Sequence, residues 1–227
     1  MNDILLSFIL GIVQGLTEFL PISSSAHLLF PTLIFGSTDL GLYFDISVHA
    51  GTLIAVVYYF RNEIFLMSKS FLATSNFNED KNLVLQLIIA TIPIIILGYI
   101  FRDLISQRIF SINDIAISNL IFASILLFAF LNNKGKKTLI NITILGACFV
   151  GLFQCFALIP GTSRSGAAIT AGLLIGLSLK DASKFAFLLA IPTILGALTL
   201  LIFDLNNENA SFDLLNMSIG FFTSMIF

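Results

Sequence analysis

Residues 11–27 read GIVQGLTEFLPISSSAH, and this stretch decides the fold. Gln14 and Glu18 are four residues apart, so they share one face of a helix. Pro21 ends that helix, and the serines behind it supply an N-cap for a second one. Inside a membrane, a carboxylate and a broken backbone are tolerated only where they are buried in protein or line a wet cavity. The stretch therefore predicts a re-entrant helical hairpin over residues 4–36, which enters the membrane and returns to the same side.

A second stretch repeats this pattern, because residues 151–166 read GLFQCFALIPGTSRSG. Both stretches contain a glycine, a glutamine three residues later, an apolar half-turn, a proline and a Ser-rich helix start. Such self-similarity indicates an internal duplication. We therefore expect a second re-entrant hairpin over residues 139–177. The two repeats would cover about residues 4–131 and 139–227 of a single membrane domain, residues 1–227.

Four further apolar segments are long enough to span a bilayer: 44–60, 83–101, 115–131 and 185–203. The chain is 57% hydrophobic and 11% charged, whereas soluble domains carry about 25% charged residues. We therefore expect an all-α polytopic membrane protein. The net charge of −2 and the lack of a basic arm give no reason to expect a nucleic-acid partner. The last apolar segment, 214–227, is shorter than a span, so we expect the chain to be truncated within a fifth span.

The basic residues predict an orientation for these spans. Eight Lys and Arg residues lie in segments 61–82, 132–138 and 178–184, whereas the segments that alternate with them hold only Arg102 and Arg108. The positive-inside rule places the first set in the cytoplasm. Three spans then separate the two hairpins, so the repeats are inverted. Their tips would meet near the midplane, an arrangement typical of inverted-repeat transporters.

The first tip carries groups for phosphoryl transfer. Ser24 and His27 are three residues apart at a helix start, and a helix N-terminus is a ready anion site. A hydroxyl and an imidazole placed there can serve as nucleophile and proton-transfer group. In the alternative interpretation, the serines only cap the backbone and His27 lies at the membrane interface. The second histidine, His49, is read as a polar packing residue of its span in preference to a supporting residue of the site.

The second tip, PGTSRSG, supplies a cation. Arg164 is the only basic residue between Leu139 and Leu179, and its planar guanidinium suits phosphate oxygens. In the alternative interpretation, it forms a salt bridge to Glu18 that merely holds the repeats together. The chain has no GxxxxGK[ST] loop for a nucleotide, so we expect a lipid-linked phosphate. The residues expected to bind it, besides the catalytic set Glu18, Ser24, His27 and Arg164, are Gln14, Ser23, Ser25, Gly161, Thr162, Ser163 and Ser165.

The two motifs resemble those of the undecaprenyl-diphosphate phosphatase family of the bacitracin-resistance type. The resemblance extends through FDISVHAGTLIAVVYYF (44–60) and KFAFLLAIPTILGALTL (184–200). It implies hydrolysis of undecaprenyl diphosphate to the monophosphate carrier lipid of peptidoglycan synthesis. It also implies a site open to the outer face of the bacterial plasma membrane and a commonly dimeric state.

Carried over residue by residue, the family's [E/Q]xxxE element falls on Gln14 and Glu18, its catalytic serine and histidine on Ser24 and His27, and its phosphate-binding arginine on Arg164. In the leading hypothesis, Ser24 attacks the terminal phosphorus, His27 moves the proton and Arg164 stabilises the phosphoryl oxygens. Glu18 orients His27 or a Mg²⁺ or Ca²⁺ ion, for which Gln14 would be the other ligand. We expect no organic cofactor.

Two alternatives stay open at this stage. A water activated by His27 could replace Ser24 as the attacking group. The rival class of function is a lipid-phosphate flippase or transporter, because broken helices at the midplane are transporter architecture. Transport has no need of a Ser24–His27 pair, and phosphate release distinguishes the two functions.

Overall fold

A computed structural model describes residues 2–72, 79–107, 111–205 and 213–227. These residues form eleven α-helices and two short 3-10 turns, Leu139–Asn141 and Cys155–Leu158. The helices are α1 (Asp3–Thr17), α2 (Ser24–Phe35), α3 (Gly41–Tyr59), α4 (Arg61–Leu72), α5 (Glu79–Ile100), α6 (Arg102–Ser106), α7 (Ile112–Asn132), α8 (Ile144–Gln154), α9 (Arg164–Leu174), α10 (Leu179–Leu205) and α11 (Leu214–Ile226). Arg108, one of the two basic residues counted for the outer segments, lies outside the described residues.

Four of these helices are long and apolar enough to cross a membrane. They are α3, α5, α7 and residues Leu179–Leu200 of α10, and they coincide with the four predicted spans. Many large apolar side chains of α7 are exposed, Leu120, Phe128 and Leu131 among them. Lipid accepts such side chains on a helix surface. The protein is therefore a multi-pass, all-α membrane protein, as predicted.

Two hairpins of short helices, one before α3 and one between α7 and α10, break where the sequence predicts. In the first, α1 ends at Thr17 and α2 begins at Ser24, with Ser23 as its N-cap at a positive φ of 62°. In the second, α8 continues into the 3-10 turn and α9 begins at Arg164. Gly161 reverses the chain there with a φ of 94°.

Each hairpin packs against a helix from the other half of the chain. Helix α11 packs on α1 and α3, whereas α5 packs on α8 and α10. A Cβ at Gly11 would lie 2.7 Å from Thr223 Cβ of α11, and a Cβ at Gly151 would lie 2.5 Å from Ala90 O of α5. The corresponding glycines of the two quoted stretches thus permit close helix approach, as small residues do in membranes. The inverted orientation of the two repeats across the membrane stays a prediction.

Helix α9 is the most enclosed part of the second hairpin, with all residues from Ser165 to Leu173 buried. Its terminal carbonyl groups are satisfied by the segment after α7. Asn133 Nδ2 donates to Leu173 O at 2.9 Å, and Lys137 Nζ donates to Ile175 O at 3.0 Å. A half-helix that ends inside protein needs such partners, because lipid offers none.

Candidate active site

The Glu18 carboxylate is the centre of the polar cluster between the hairpins, and only 3% of its side chain is exposed. Glu18 Oε2 accepts hydrogen bonds from Gln14 Nε2 at 2.8 Å and from Ser24 Oγ at 2.7 Å. Arg164 Nη2 donates to Glu18 Oε1. His49 Nε2 of α3 lies 3.3 Å from Oε2. One buried carboxylate therefore joins both tips and a membrane span.

The two tips also meet through their backbones. Ser165 Oγ donates to Leu20 O at 3.0 Å, and Ser163 Oγ approaches the same oxygen at 3.5 Å. A Cβ at Gly166 would lie 3.3 Å from Pro21 Cβ, which is tight contact. The salt bridge that the sequence offered as an alternative is therefore present, within a wider contact between the tips.

A cavity of about 440 Å³ opens beside this cluster. Its polar lining comes from both tips, α2, the α2–α3 connection, α3 and α10, and its apolar lining from α2, α3, α5, α6, the second tip and α10. Helices α2 and α9 both begin here, at Ser24 and Arg164. Free N–H groups at helix starts favour bound anions. The cavity thus combines a polar, anion-favouring end with apolar walls, which suits a phosphate attached to a lipid.

Two buried donors at the cavity are unused. Within the described part of the chain, Arg164 Nη1 and Thr162 Oγ1 have no hydrogen-bond partner. A buried polar atom without a partner costs about 1–3 kcal/mol, and more when the group is charged. Both residues line the cavity. Phosphate oxygens placed there would satisfy them.

Several predicted site residues lie where the sequence places them. Among the described residues, the cavity lining includes these predicted ones: Glu18, Ser23, Ser24, Ser25, Thr162, Ser163 and Arg164. Gln14 is fully buried behind Glu18. Ser165 ties the tips together through Leu20. Gly161 instead packs against α7, where a Cβ would lie 2.3 Å from Ile115 O. Gly161 therefore permits close packing on α7, and its predicted approach to the substrate stays a prediction.

Among the described residues, no hydrogen bond joins His27 to Ser24, and the predicted role of His27 in proton transfer stays a prediction. Its Nδ1 lies 2.8 Å from Ser23 O, and its ring packs beside Phe30. Ser24 Oγ donates to Glu18, and His27 is absent from the cavity lining of the described residues. The helical spacing of Ser24 and His27 placed both on one face, but it did not determine the direction of either side chain.

His49 was missed as a site residue. It lines the cavity and reaches Glu18 from α3, although its sequence context, SVHAGT, favoured packing within a span. Its position four residues after Asp45 places both on one face. Asp45 also lines the cavity, so this polar pair in an otherwise apolar span was the available signal.

A divalent cation has part of a site at Glu18. The Gln14 Oε1 atom is buried without a hydrogen-bond partner among the described residues, and it belongs to the side chain that contacts Glu18. Amide and carboxylate oxygens are ligands that Mg²⁺ and Ca²⁺ prefer. In the described residues, no group of three or more His, Cys, Asp or Glu side chains could hold a metal ion. The described residues therefore offer a cation two protein ligands, Glu18 and Gln14, and a bound Mg²⁺ or Ca²⁺ stays a prediction.

Comparisons with known proteins agree with this chemistry. The model of the family "Bacitracin resistance protein BacA" matches residues 7–227. The undecaprenyl-diphosphatase of Alcanivorax borkumensis is 43% identical over 223 residues, which cover 97% of this chain and 84% of the relative. That of Idiomarina loihiensis is 40% identical over 227 residues, 99% and 86% of the two chains. Undecaprenyl-diphosphatase 1 of Pseudoalteromonas translucida is 47% identical over 190 residues, 82% and 71%. The chain belongs to the bacitracin resistance protein BacA family.

Proposed function

We propose that this protein is a membrane phosphatase that hydrolyses undecaprenyl diphosphate to undecaprenyl phosphate and inorganic phosphate. The relatives named undecaprenyl-diphosphatase support the substrate. The observation that carries the proposal is the cluster of Ser24, Glu18 and Arg164 at the polar end of an apolar-walled cavity. It brings a hydroxyl, a proton acceptor and a cation with one unused donor atom to a single point.

Substrate binding would begin with Arg164. Its Nη2 is engaged by Glu18, while its Nη1 has no partner in the described part of the chain. A guanidinium binds phosphate oxygens through two parallel hydrogen bonds. The terminal phosphate, held at the starts of α2 and α9, would therefore compete with Glu18 for Arg164. Binding would in this way release one oxygen of Glu18.

The chemical step would then run from Ser24 to the terminal phosphorus. Ser24 Oγ forms the new bond to phosphorus as the bond to the bridging oxygen breaks, and undecaprenyl phosphate leaves. The hydroxyl proton passes to Glu18 Oε2, which already accepts it at 2.7 Å. Arg164 and the helix N-terminal N–H groups stabilise the charge on the equatorial oxygens. Water then attacks the phosphorus of the phosphoserine, and the bond between phosphorus and Ser24 Oγ breaks. Glu18 returns its proton to Ser24 Oγ, and inorganic phosphate leaves with the atoms of the water.

For the cofactor we propose Mg²⁺ or Ca²⁺, held by Glu18 and Gln14 Oε1 together with phosphate oxygens. The cation would neutralise charge on the diphosphate and orient it. A chelator should then lower phosphate release, and addition of either ion should restore it. Turnover that is insensitive to chelator would overturn this assignment and leave the roles of Ser24 and Arg164 in place.

The location and assembly of the protein are proposed on the same basis. We place it in the bacterial plasma membrane, with the cavity open to the outer face, where it would recycle the carrier lipid of peptidoglycan synthesis. Membrane lipids would surround α7, and a homodimer is the proposed assembly. A cysteine at Thr38, after α2, should be labelled from outside intact cells, and one at Lys136 should be protected. Both residues are exposed, so the reverse pattern would overturn the orientation.

The deciding experiment is phosphate release from undecaprenyl diphosphate by the purified protein. Release that depends on Ser24 and Arg164 supports the phosphatase. A trapped phosphoserine at Ser24 supports covalent catalysis, whereas release with no trapped intermediate and a mild Ser24→Ala effect supports attack by water. Lipid movement across vesicles without phosphate release would instead support the flippase.

A further inference from the structure

His49 contacts the proposed site from outside both motifs. Its Nε2 lies 3.3 Å from Glu18 Oε2, the oxygen to which Ser24 donates. About a quarter of the side chain is exposed, at 25%, and it lines the cavity. A residue that only filled space in a span would be enclosed by other apolar side chains. The contact with Glu18 therefore calls for a different role.

Hydrogen bonds other than the contact with Glu18 hold the His49 ring and its backbone in place. His49 Nδ1 lies 2.6 Å from Asp45 O, and because a carbonyl oxygen only accepts, Nδ1 carries a hydrogen. Nε2 therefore donates to Glu18 Oε2 in the imidazolium form, in which both ring nitrogens carry hydrogens. Thr52 Oγ1 donates to His49 O at 2.9 Å, and Ser224 Oγ of α11 donates to the neighbouring Val48 O at 2.8 Å. Both the ring and its backbone are thus fixed by α3 and α11.

The backbone around His49 is also clamped by close packing. A Cβ at Gly51 would lie 2.1 Å from Ser224 Oγ and 2.3 Å from Phe221 O. Helix α11 therefore lies directly against α3 at this level. Small residues at helix interfaces permit such approach in membranes. His49 is consequently a rigid point of attachment from an element that belongs to neither tip.

Rigidity at this point is useful because the other contacts of Glu18 change in the proposed reaction. Arg164 moves to the phosphate, and Ser24 gives up its hydrogen and bonds to phosphorus. Gln14 Nε2, from the same helix as Glu18, and His49 Nε2 are the contacts that persist. Reacting groups must be held close to the productive geometry for efficient transfer.

We propose that His49 is a positioning residue that holds the Glu18 carboxylate toward Ser24 throughout turnover. The inference rests on the proposed phosphatase function. It assigns to α3 a part in the site that the two motifs do not describe. The role is exerted through Glu18, without contact with the substrate.

The test is a double-mutant cycle on purified protein, with kcat and KM for undecaprenyl diphosphate measured separately. We expect His49→Ala to lower kcat about 30-fold with KM within about threefold, because a positioning contact acts on the chemical step. His49→Gln keeps a nitrogen that can reach Glu18 and should recover kcat to within about fivefold of wild type. In a Glu18→Asp background, whose shorter side chain falls away from His49, the added effect of His49→Ala should be under about threefold.

The matched control is Thr91→Val in α5, a buried span residue outside the described cavity lining whose hydroxyl donates to Leu87 O at 2.7 Å. It should show the same small effect in both backgrounds. A raised KM with unchanged kcat would make His49 a substrate contact and overturn the proposal. Equal losses in both backgrounds, or aggregation of both His49 variants, would also overturn it. A wild-type protein that releases no phosphate would instead overturn the proposed function.

Discussion

The two hairpin tips start their second helices in a similar way but carry different functional groups there. Ser24 begins α2 and Arg164 begins α9, each directly after a serine N-cap. In both tips the N-cap hydroxyl pairs with the hydroxyl two residues later, Ser23 with Ser25 at 3.3 Å and Ser163 with Ser165 at 3.0 Å. One helix position therefore supplies the proposed nucleophile in the first tip and the cation in the second. The two tips therefore place different functional groups at the same position of similar helix starts.

The tips also differ in how the chain reverses. The second uses Gly161, at φ 94°, ahead of an N-cap with ordinary backbone angles. The first places Ser23 itself at φ 62°, directly before Ser24. A left-handed non-glycine residue costs of the order of 1–3 kcal/mol and is found most often at functional sites. The strained backbone thus lies in the tip that carries the proposed nucleophile.

Ser24→Ala should have the largest effect. We expect turnover to fall about 1,000-fold or more, since the attacking oxygen is removed, while lipid binding persists through Arg164 and the helix starts. Phosphate release and binding of labelled substrate measure the two effects. Ser25→Ala, in the same tip and the same cavity, should be much milder. A Ser24→Ala rate above about a tenth of wild type, a loss under about 1.4 kcal/mol, would exclude covalent catalysis.

Arg164→Lys should follow, with a loss of about 100-fold although the charge is kept, because an ammonium cannot make two parallel bonds. Steady-state phosphate release tests this. Arg164 has two terminal nitrogens for such a pair of bonds. Nη2 donates to Glu18, and Nη1 has no partner within the described residues. Near wild-type turnover in the lysine variant would reject a bidentate role for the second tip.

A pair of His27 variants tests how the first tip is held. His27→Ala should lower turnover about 30-fold, because Ser23 O loses its hydrogen-bond donor next to Ser24. His27→Asn places an amide near the former Nδ1 and should retain about a third of wild-type turnover or more. Both rates come from the same assay. Equal, severe losses would instead show that Nε2 takes part in proton transfer, the role the sequence predicts.

The equivalent glutamines give a smaller contrast. Gln14 Nε2 donates to Glu18, whereas Gln154 Nε2 approaches Ala90 O at 3.5 Å. Gln14→Ala should lower turnover about tenfold and Gln154→Ala by less than about threefold, since only the former supports a reacting group. Both glutamines are buried and occupy equivalent positions in the two quoted stretches, so each variant is the control for the other. Similar losses would show that both repeats contribute equally to the site.

The smallest expected effect concerns the strained N-cap. Ser23→Ala loses the cap and keeps the strain, so it should destabilise the protein by about 1–2 kcal/mol. Ser23→Gly also loses the hydroxyl but relieves the positive φ, and should be at least as stable as the alanine variant. Thermal unfolding in detergent compares them. A glycine variant clearly less stable than alanine would contradict the strain.

Local sequence patterns predicted the spans and the breaks, because both depend on residues that are near each other in the chain. The apolar runs give the four long helices, and the prolines and serines give the breaks at Pro21 and after Pro160. The pattern could not predict that α3 turns His49 toward Glu18. That contact depends on how the helices are rotated against one another. The rotation of α3 is fixed by its packing on α11, where Gly51 of α3 meets Ser224 of α11.

The hydrogen bond between His27 and Ser23 O could not be predicted for a related reason. Helical spacing places Ser24 and His27 on one face, but each side chain then chooses among nearby partners. The carbonyl oxygen of Ser23 lies one turn before His27 and takes its Nδ1, while Glu18 takes the Ser24 hydroxyl. The positive φ of Ser23 shapes this tip, and residue spacing does not predict that backbone angle.

The crossed packing of the two halves also sets an order of assembly. Glu18 is synthesised early, Arg164 follows 146 residues later, and α11 follows both. Until then Glu18 of the first hairpin lacks its partner Arg164. Gly11 of α1 and Gly51 of α3 likewise lack the residues of α11 that they contact. The cluster of Glu18, Ser24 and Arg164 can therefore form only after the start of α9 has been synthesised, and the contacts of α11 with α1 and α3 form later still.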